Sequence, residues 1–167
     1  YYLAYKSIDL GHEPEMILSG RRINDNMPLY IAGKVSALMG NKNINISDSN
    51  ILILGLTFKE NCNDIRNSKT FDLIEAFESW SSTVDVYDPL LDSNEVAVNL
   101  IEFPKSEYYD AIIITVGHDE FIEMGIDKIL EFAKSDNVIF DVKSIFPIEK
   151  TDARLWARDC ILGYISP

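Results

Sequence analysis

Three short apolar runs constrain the fold of this chain more than any other feature of its sequence. They read ILILGL at 51–56, AIIITV at 111–116 and VIFDV at 138–142. Each run is shorter than an ordinary helix and bounded by polar sequence, so each predicts a strand that is buried on both faces. A fourth strand is predicted at 83–88, and helical patterns at 70–80 and 126–133 separate the strands. Alternation of this kind predicts an α/β fold, in which helices cover both faces of a parallel sheet.

A long helix is predicted ahead of the sheet, from Glu15 to about Gly40. Its apolar residues recur at spacings of three and four, as on one face of a helix; they are Ile23, Met27, Ile31, Val35 and Leu38. The sequence NDNMP at 24–28 favours a bend, a break or a packed interface in this helix, because Asn, Asp and Pro are poor residues for a helix interior. A polar linker follows at 41–50. The patterns divide the chain into a helical region, 1–48, and a separate folding unit, 49–167.

The charge of the chain excludes two classes of partner. It has 27 acidic and 15 basic residues, for a net charge of −12. Such a field repels nucleic-acid backbones and anionic lipid surfaces. No apolar stretch approaches the roughly 20 residues that a membrane helix needs, so we expect a cytoplasmic protein. The two cysteines, Cys62 and Cys160, lack metal-ligand spacing, and we expect both to be free thiols.

The loop after the first strand is the main candidate for ligand binding. In open α/β sheets, ligands bind where the carboxyl ends of the strands lie. A dinucleotide-binding loop needs three glycines at this place, but residues 51–68 contain only Gly55. The backbone of this loop is therefore not expected to cradle a pyrophosphate.

The side chains of the same loop offer other means of binding an anion. Phe58 provides a stacking surface, and Lys59 and Arg66 provide positive charge. The remaining polar groups are three amides and a predicted helix cap, namely Asn61, Asn63, Asn67 and Ser68. In the alternative interpretation, the two cations are ordinary surface charges that pair with Glu60 and Asp64. The residue types alone favour neither interpretation.

Three further positions lie at the predicted carboxyl edge of the sheet. Lys143 starts the loop after the last strand, and a parallel sheet would bring it beside the first loop. His118 stands next to Asp119, but nothing supplies a nucleophile at a defined spacing, so we interpret it as a loop histidine without chemistry. The YDP sequence at 87–89 is interpreted as a strand end that proline stops.

Five ordered blocks of the sequence resemble one known family. They are YYLAYK at 1–6, GRRINDNMPLYIA at 20–32, LGLTFKENCNDIRNS at 54–68, VYDP at 86–89 and IFDVKSIFP at 139–147. They are similar to the UDP-glucose/GDP-mannose dehydrogenases, which are nucleotide-sugar 6-dehydrogenases. The resemblance implies an NAD-dependent oxidation of the C6 hydroxyl of a UDP-sugar to a carboxylate, through a thiohemiacetal and a thioester on a cysteine. It also implies a dimer through the long central helix and a Rossmann-like C-terminal domain for the UDP-sugar.

The resemblance also implies roles for individual residues. Substrate contacts fall on Phe58, Lys59 and Lys143, an NAD contact falls on Arg66, and Tyr1 and Tyr2 could line the site. The family's nucleophilic cysteine lies in a GGHC-type block upstream of the YYLAYK segment. We therefore expect a C-terminal part of a longer enzyme that has no catalytic residue and is inactive alone, and Cys62 does not replace the nucleophile.

The identity of the sugar stays open between two branches of the family. The DVK and GRRINDNM sequences look closer to the branch that acts on UDP-N-acetylhexosamines, such as glucosamine, galactosamine or mannosamine derivatives, in polysaccharide biosynthesis for a capsule or O-antigen. The alternative is UDP-glucose 6-dehydrogenase. An alternative of another class is a non-catalytic module for nucleotide binding or dimerisation.

Overall fold

A computed structural model of the chain describes residues 2–92 and 96–155, apart from the side chain of Leu3. Two residues for which we made predictions, Tyr1 and Cys160, lie outside these ranges. The helices are α1 (Tyr2–Asp9), α2 (Glu15–Asn41), α3 (Thr70–Ser79), α4 (Asp119–Met124) and α5 (Ile126–Leu130). The strands are β1 (Asn50–Leu54), β2 (Thr83–Tyr87), β3 (Tyr109–Ile114), β4 (Ala133–Asp141) and β5 (Ala153–Arg154), and a 3-10 turn spans Ile148–Lys150.

The five strands form one parallel sheet in the order β2-β1-β3-β4-β5. The predicted α/β fold with a parallel sheet is confirmed. From β1 the chain first moves outward to β2, and it then returns to the other side of β1 to form β3. The carboxyl ends of β1 and β3 therefore flank the point at which the strand order reverses, and ligands bind at such a point in open α/β sheets.

Apolar clusters on both faces of the sheet explain why the strand sequences are apolar without interruption. Ile51 and Ile53 face one cluster, which α2 and α3 complete with side chains such as Phe77. Leu52 and Leu54 face the other cluster, to which α4 and α5 contribute. Since successive side chains point to opposite faces of a strand, a strand covered on both faces needs an apolar residue at every position.

Helix α2 runs without a break through Pro28. Of the three alternatives for residues 24–28, the break is wrong, and the packed interface is observed, because Pro28 is buried. The predicted apolar stripe packs within its own chain: Ile31 and Val35 are buried in the cluster shared with α3, whereas Ile23 remains 64% exposed. The division of the chain at residue 48 stays a prediction.

The largest error in the predicted elements concerns β4. The predicted helix 126–133 ends at Leu130, and the strand begins at Ala133 instead of Val138. A shift in register explains the difference, because Tyr109 pairs with Ala133 but the next pair is Ala111 with Val138. The polar residues 134–137 bulge between these two pairs, and their composition hid the strand from the sequence pattern.

The two edges of the sheet end in different ways. At the β2 edge, the N–H of Val86 donates to the carbonyl of Asn99 (2.9 Å), and the N–H of Ile101 donates to the carbonyl of Val86 (2.8 Å). The segment around Leu100 therefore runs along the outer side of β2 as an isolated parallel bridge. At the other edge, β5 consists of only two residues.

Candidate functional site

Gly55 allows the loops after β1 and β3 to touch at the carboxyl edge of the sheet. Its φ angle is +99°, and a Cβ at this position would lie 2.5 Å from the Cβ of Val116. Side chains rarely adopt such a φ, and no Cβ tolerates such a contact. The single glycine of this loop therefore serves the close packing of two loops.

Asp88 anchors the start of the β1 loop from the end of β2. The residue is 3% exposed, and its Oδ2 accepts hydrogen bonds from the N–H groups of Leu56 (2.7 Å) and Thr57 (3.1 Å). Its Oδ1 accepts one from the N–H of Leu90 (3.0 Å). Burial by itself would raise the pKa of Asp88, but these bonds and one from His118 hold it below the ordinary value. Strand β2 does end at Tyr87, as interpreted from the YDP sequence, but the hydrogen bonds of Asp88 to the β1 loop were not predicted.

His118 joins three parts of the chain through its ring nitrogens. Its side chain is 1% exposed. Nε2 lies 3.2 Å from Oδ2 of Asp88 and 3.1 Å from Oγ1 of Thr57. Nδ1 accepts a hydrogen bond from the N–H of Asn61 at 3.0 Å. Its carboxylate partner is therefore Asp88 and not the adjacent Asp119, whose N–H instead donates to Oδ1 of Asn61 (3.0 Å).

The arrangement of His118 does not form a nucleophile–base–carboxylate triad. In such a triad, one ring nitrogen faces the nucleophile and the other faces the carboxylate. Here the hydroxyl of Thr57 and the carboxylate of Asp88 share Nε2, and all three side chains are buried. The interpretation of His118 as a histidine without chemistry stays a prediction, whereas its burial and its links to other loops were not predicted.

A cleft of about 310 Å³ opens between α2, α3 and the loops that follow β1, β3 and β4. Phe58 and Lys143, two of the predicted substrate contacts, both line it, and the Phe58 side chain is 58% exposed. The Nζ of Lys143 lies 2.5 Å from Oε1 of Glu60, so an ion pair links the loops after β1 and β4. The hydrogen bond from Lys143 lowers the pKa of Glu60. Lys69 also lines the cleft, and the sequence analysis did not single it out.

One of the two ion pairs of Lys69 could be predicted from the sequence. It immediately precedes α3, and its ammonium contacts Asp25 of α2 and Asp72 of α3, each at 3.0 Å. The i, i+3 spacing to Asp72 is visible in the sequence, whereas the contact with Asp25 depends on the packing of α2 against α3. The predicted cap, Ser68, lies one residue before the cap position, and its Oγ accepts a hydrogen bond from the N–H of Thr70 at 3.3 Å.

The other two predicted contacts, Lys59 and Arg66, do not line this cleft. Arg66 forms a two-pronged ion pair with Asp64, through Nε–Oδ1 (2.9 Å) and Nη2–Oδ2 (2.7 Å). This pair lowers the pKa of Asp64 to about 2 and raises the pKa of Arg66. The surface-pair alternative is thus observed for Arg66, whereas Glu60 pairs with Lys143 and not with Lys59. The roles of all four residues in ligand binding stay predictions.

Two kinds of feature are absent from the described ranges, 2–92 and 96–155. No group of three or more His, Cys, Asp or Glu side chains there could hold a metal ion. No helix within them is both long and apolar enough to cross a membrane. Cys62, which lies there too, is a free and half-buried thiol.

An open, parallel, doubly wound sheet with a cleft at its switch point is typical of the α/β domains that bind nucleotides. Comparison with known protein families identifies the family to which the chain belongs within this class. The chain belongs to the UDP-glucose/GDP-mannose dehydrogenase family, since the model of that family's UDP binding domain matches residues 52–148.

Individual relatives agree with this assignment. The chain is 45% identical to UDP-N-acetyl-D-glucosamine 6-dehydrogenase of Salmonella typhi over 159 residues, which are 93% of this chain and 37% of that protein. It is 36% identical to the enzyme of the same name from Pseudomonas aeruginosa, over 93% of this chain and 38% of that protein. Among solved structures, a UDP-glucose dehydrogenase from Pyrobaculum islandicum has the same fold, with a TM-score of 0.74 at 19% identity over 93% of this chain and 35% of that one. The chain therefore spans well under half the length of these relatives.

Proposed function

We propose that this chain is the C-terminal, substrate-binding part of an NAD-dependent dehydrogenase that oxidises the C6 hydroxyl of a UDP-N-acetylhexosamine to a uronic acid. One observation carries the proposal: Phe58 and Lys143, from the loops after β1 and β4, line one cleft within the region that matches a UDP binding domain. The names of the relatives favour this substrate class over UDP-glucose. Synthesis of a surface polysaccharide in the cytoplasm is the corresponding role.

The cleft has the groups that recognition of a uridine diphosphate requires. The exposed ring of Phe58 offers a face to the uracil base, and stacking of a base on an aromatic side chain contributes about 1–3 kcal/mol. The diphosphate needs positive charge close to it. Because the whole chain has a net charge of −12, this charge must come from individual cations at the site. The cations that line the cleft are Lys143 and Lys69, and Lys59 adds charge outside it. Since Asp25 and Asp72 already pair with Lys69, a bound phosphate would compete with them for its ammonium. A bound phosphate would compete with Glu60 for the ammonium of Lys143.

The cofactor of the proposed reaction is NAD, which accepts hydride from the C6 carbon of the sugar. With Gly55 committed to loop packing, the described residues offer NAD no phosphate cradle of the glycine-rich kind. The proposed contribution of this chain is limited to Arg66, whose side chain is 83% exposed beside Asp64. No residue of the chain is proposed as catalytic.

A homodimer through the helix at 15–40 is the proposed assembly. The side chains that could form it are the exposed ones, since Ile31 and Val35 are buried in the chain's own core. Leu29 (59% exposed) and Tyr30 (51% exposed) present apolar surface on the part of α2 that packs on the sheet. Apolar side chains exposed together on a helix are typical of a contact surface.

Calorimetric titration of the 167-residue chain with UDP and with UDP-N-acetylglucosamine tests the binding proposal. We expect Lys143→Ala and Phe58→Ala each to weaken binding about tenfold, since a charge-assisted contact or a stacked base contributes on the order of 1.4 kcal/mol or more. Lys150→Ala is the matched control, because Lys150 also pairs with a carboxylate, Asp127, and has similar exposure but lies away from the cleft. No binding by the unaltered chain, or equal losses in the control, would refute the proposal.

A further inference from the structure

The hydrogen bonds around His118 define which of its nitrogens carries the proton. The backbone N–H of Asn61 can only donate, so Nδ1, at 3.0 Å, must be a bare acceptor. The hydroxyl of Thr57 donates to the carbonyl of Lys59 at 3.2 Å, which leaves its oxygen free to accept. The proton of His118 therefore lies on Nε2, where both Oδ2 of Asp88 and Oγ1 of Thr57 are acceptors. With the proton on Nε2, both ring nitrogens have hydrogen-bond partners.

The two residues that His118 holds on the β1 loop flank the binding segment. Thr57 and Asn61 enclose residues 58–60, and these three residues include the proposed contacts Phe58 and Lys59 and the carboxylate partner of Lys143. The backbone at Asn61 has a φ of +54°, in the left-handed region that asparagine adopts more readily than most other non-glycine residues. The single ring of His118 therefore contacts this short loop at both of its ends.

Protonation of His118 would remove one of these two supports. An imidazolium carries hydrogen on both nitrogens, so Nδ1–H would face the N–H of Asn61, and two donors would oppose each other. The bond from Nε2 to Asp88 would survive, since a carboxylate also accepts from the charged ring. Four charged groups belong to the elements around the ring: Asp88 at the end of β2 contacts it, Glu60 on the β1 loop interacts with it electrostatically, Lys143 on the β4 loop pairs with Glu60, and Asp119 at the start of α4 follows it in sequence.

We propose that His118 is a positioning residue for nucleotide binding: its neutral ring holds residues 58–60 in the conformation that binds UDP, and protonation of the ring releases that segment. The proposal rests on the proposed function, since it assigns a purpose to the loop that carries Phe58 and Lys59. Under this proposal, the affinity for UDP depends on pH. The dependence originates in His118, which does not line the cleft.

Two substitutions separate the two sides of the ring. In His118→Asn, the amide oxygen can take the place of Nδ1 and accept from Asn61, but the variant has no titratable group. In His118→Gln, the amide lies nearer to the place of Nε2 and retains the contact with Asp88 but not the one with Asn61. His12→Asn is the matched control, because His12 is the only other histidine of the chain and is exposed.

The experiment measures the dissociation constant of UDP by calorimetry at pH 8 and pH 5.5, a range in which histidine side chains generally change charge. For His118→Asn, the change in the dissociation constant between pH 8 and pH 5.5 reports the titration of UDP itself. For the unaltered chain and for His12→Asn, we expect the dissociation constant to rise at least fivefold beyond that change. We expect His118→Asn to bind within about threefold of the unaltered chain at pH 8, and His118→Gln to bind about tenfold more weakly. Amide NMR spectra at both pH values check that each variant is folded.

The outcomes separate failure of this inference from failure of the proposed function. If the unaltered chain does not bind UDP at pH 8, the proposed function is refuted, and the inference falls with it. If the chain binds UDP but His118→Asn shows the same pH dependence, or His118→Gln binds as tightly as His118→Asn, then only the inference is wrong. In addition, long-range nitrogen–proton NMR of the ring should report the Nε2–H tautomer at pH 8, and the Nδ1–H tautomer would refute the inference independently of any ligand.

Discussion

Replacement of Asp88 by Asn should destabilise the chain by about 3 kcal/mol. The carboxylate accepts three backbone hydrogen bonds, from Leu56 (2.7 Å), Thr57 (3.1 Å) and Leu90 (3.0 Å). A hydrogen bond to a charged group contributes about 1.5–3 kcal/mol and one between neutral groups about 0.5–1.5 kcal/mol, so the loss is about 1 kcal/mol for each bond. The free energy of unfolding at pH 7, from urea denaturation, measures this effect.

The pH dependence of stability provides a second readout for the same variant. Because the folded-state pKa of Asp88 is lowered, its carboxylate stabilises the fold above the unfolded pKa of about 3.9, and this contribution is lost as the pH falls through the folded value. The difference between the unaltered chain and Asp88→Asn should thus shrink as the pH falls below about pH 4 and through the folded-state pKa of Asp88. Asp127→Asn is the control, since Asp127 is 79% exposed in its pair and should matter by less than about 1 kcal/mol. Equal unfolding free energies for Asp88→Asn and the control at pH 7 would refute the reasoning.

Three further predictions concern packing, chemistry and assembly. Gly55→Ala should lower the free energy of unfolding by about 3 kcal/mol in urea denaturation, from strain at positive φ and the clash with Val116; Gly33→Ala, in an open helical position, should instead stabilise by about 1 kcal/mol. The 167-residue chain should give no NADH absorbance with NAD and any UDP-sugar, and measurable turnover would contradict the absence of a catalytic residue. Sedimentation velocity should show a dimer that the double change Leu29→Asp with Tyr30→Asp converts to a monomer, and a sedimentation coefficient that the change leaves unaltered would exclude this face of α2.

The sheet was predictable from the sequence because its strands are buried on both faces. Such burial leaves uninterrupted apolar runs, as at Ile51–Leu54 in β1, and these depend only on local composition. The start of β4 was not predictable, since residues 134–137 are polar and belong to the strand only through their pairing with β3. An irregularity in pairing is a property of two strands together, and one strand's composition does not encode it.

The candidate site was predictable only where its contacts are local. The pair of Arg66 with Asp64 spans two residues and was named as an alternative from the sequence. The pairs His118–Asp88 and Lys143–Glu60 join loops that follow different strands. His118 pairs with Asp88 and not with the adjacent Asp119, because sequence proximity does not indicate which loop ends meet at the edge of a sheet. The one general signal is that polar residues at the ends of parallel strands converge, and that rule was applied to Lys143 but not to Asp88.

The edges of the sheet affect how this protein behaves at high concentration. An exposed edge strand offers unpaired N–H and C=O groups, on which another chain can add a strand and begin to aggregate. Here the segment around Leu100 occupies part of the outer side of β2, and β5, with two residues, is too short to serve as a template. Among the described residues, strand addition is thus blunted at both ends of the sheet. Self-association of the folded chain should consequently proceed through contacts between side chains, and selection can adapt such contacts to one specific partner. Pairing through the backbone would lack this specificity, because every sequence has the same backbone groups.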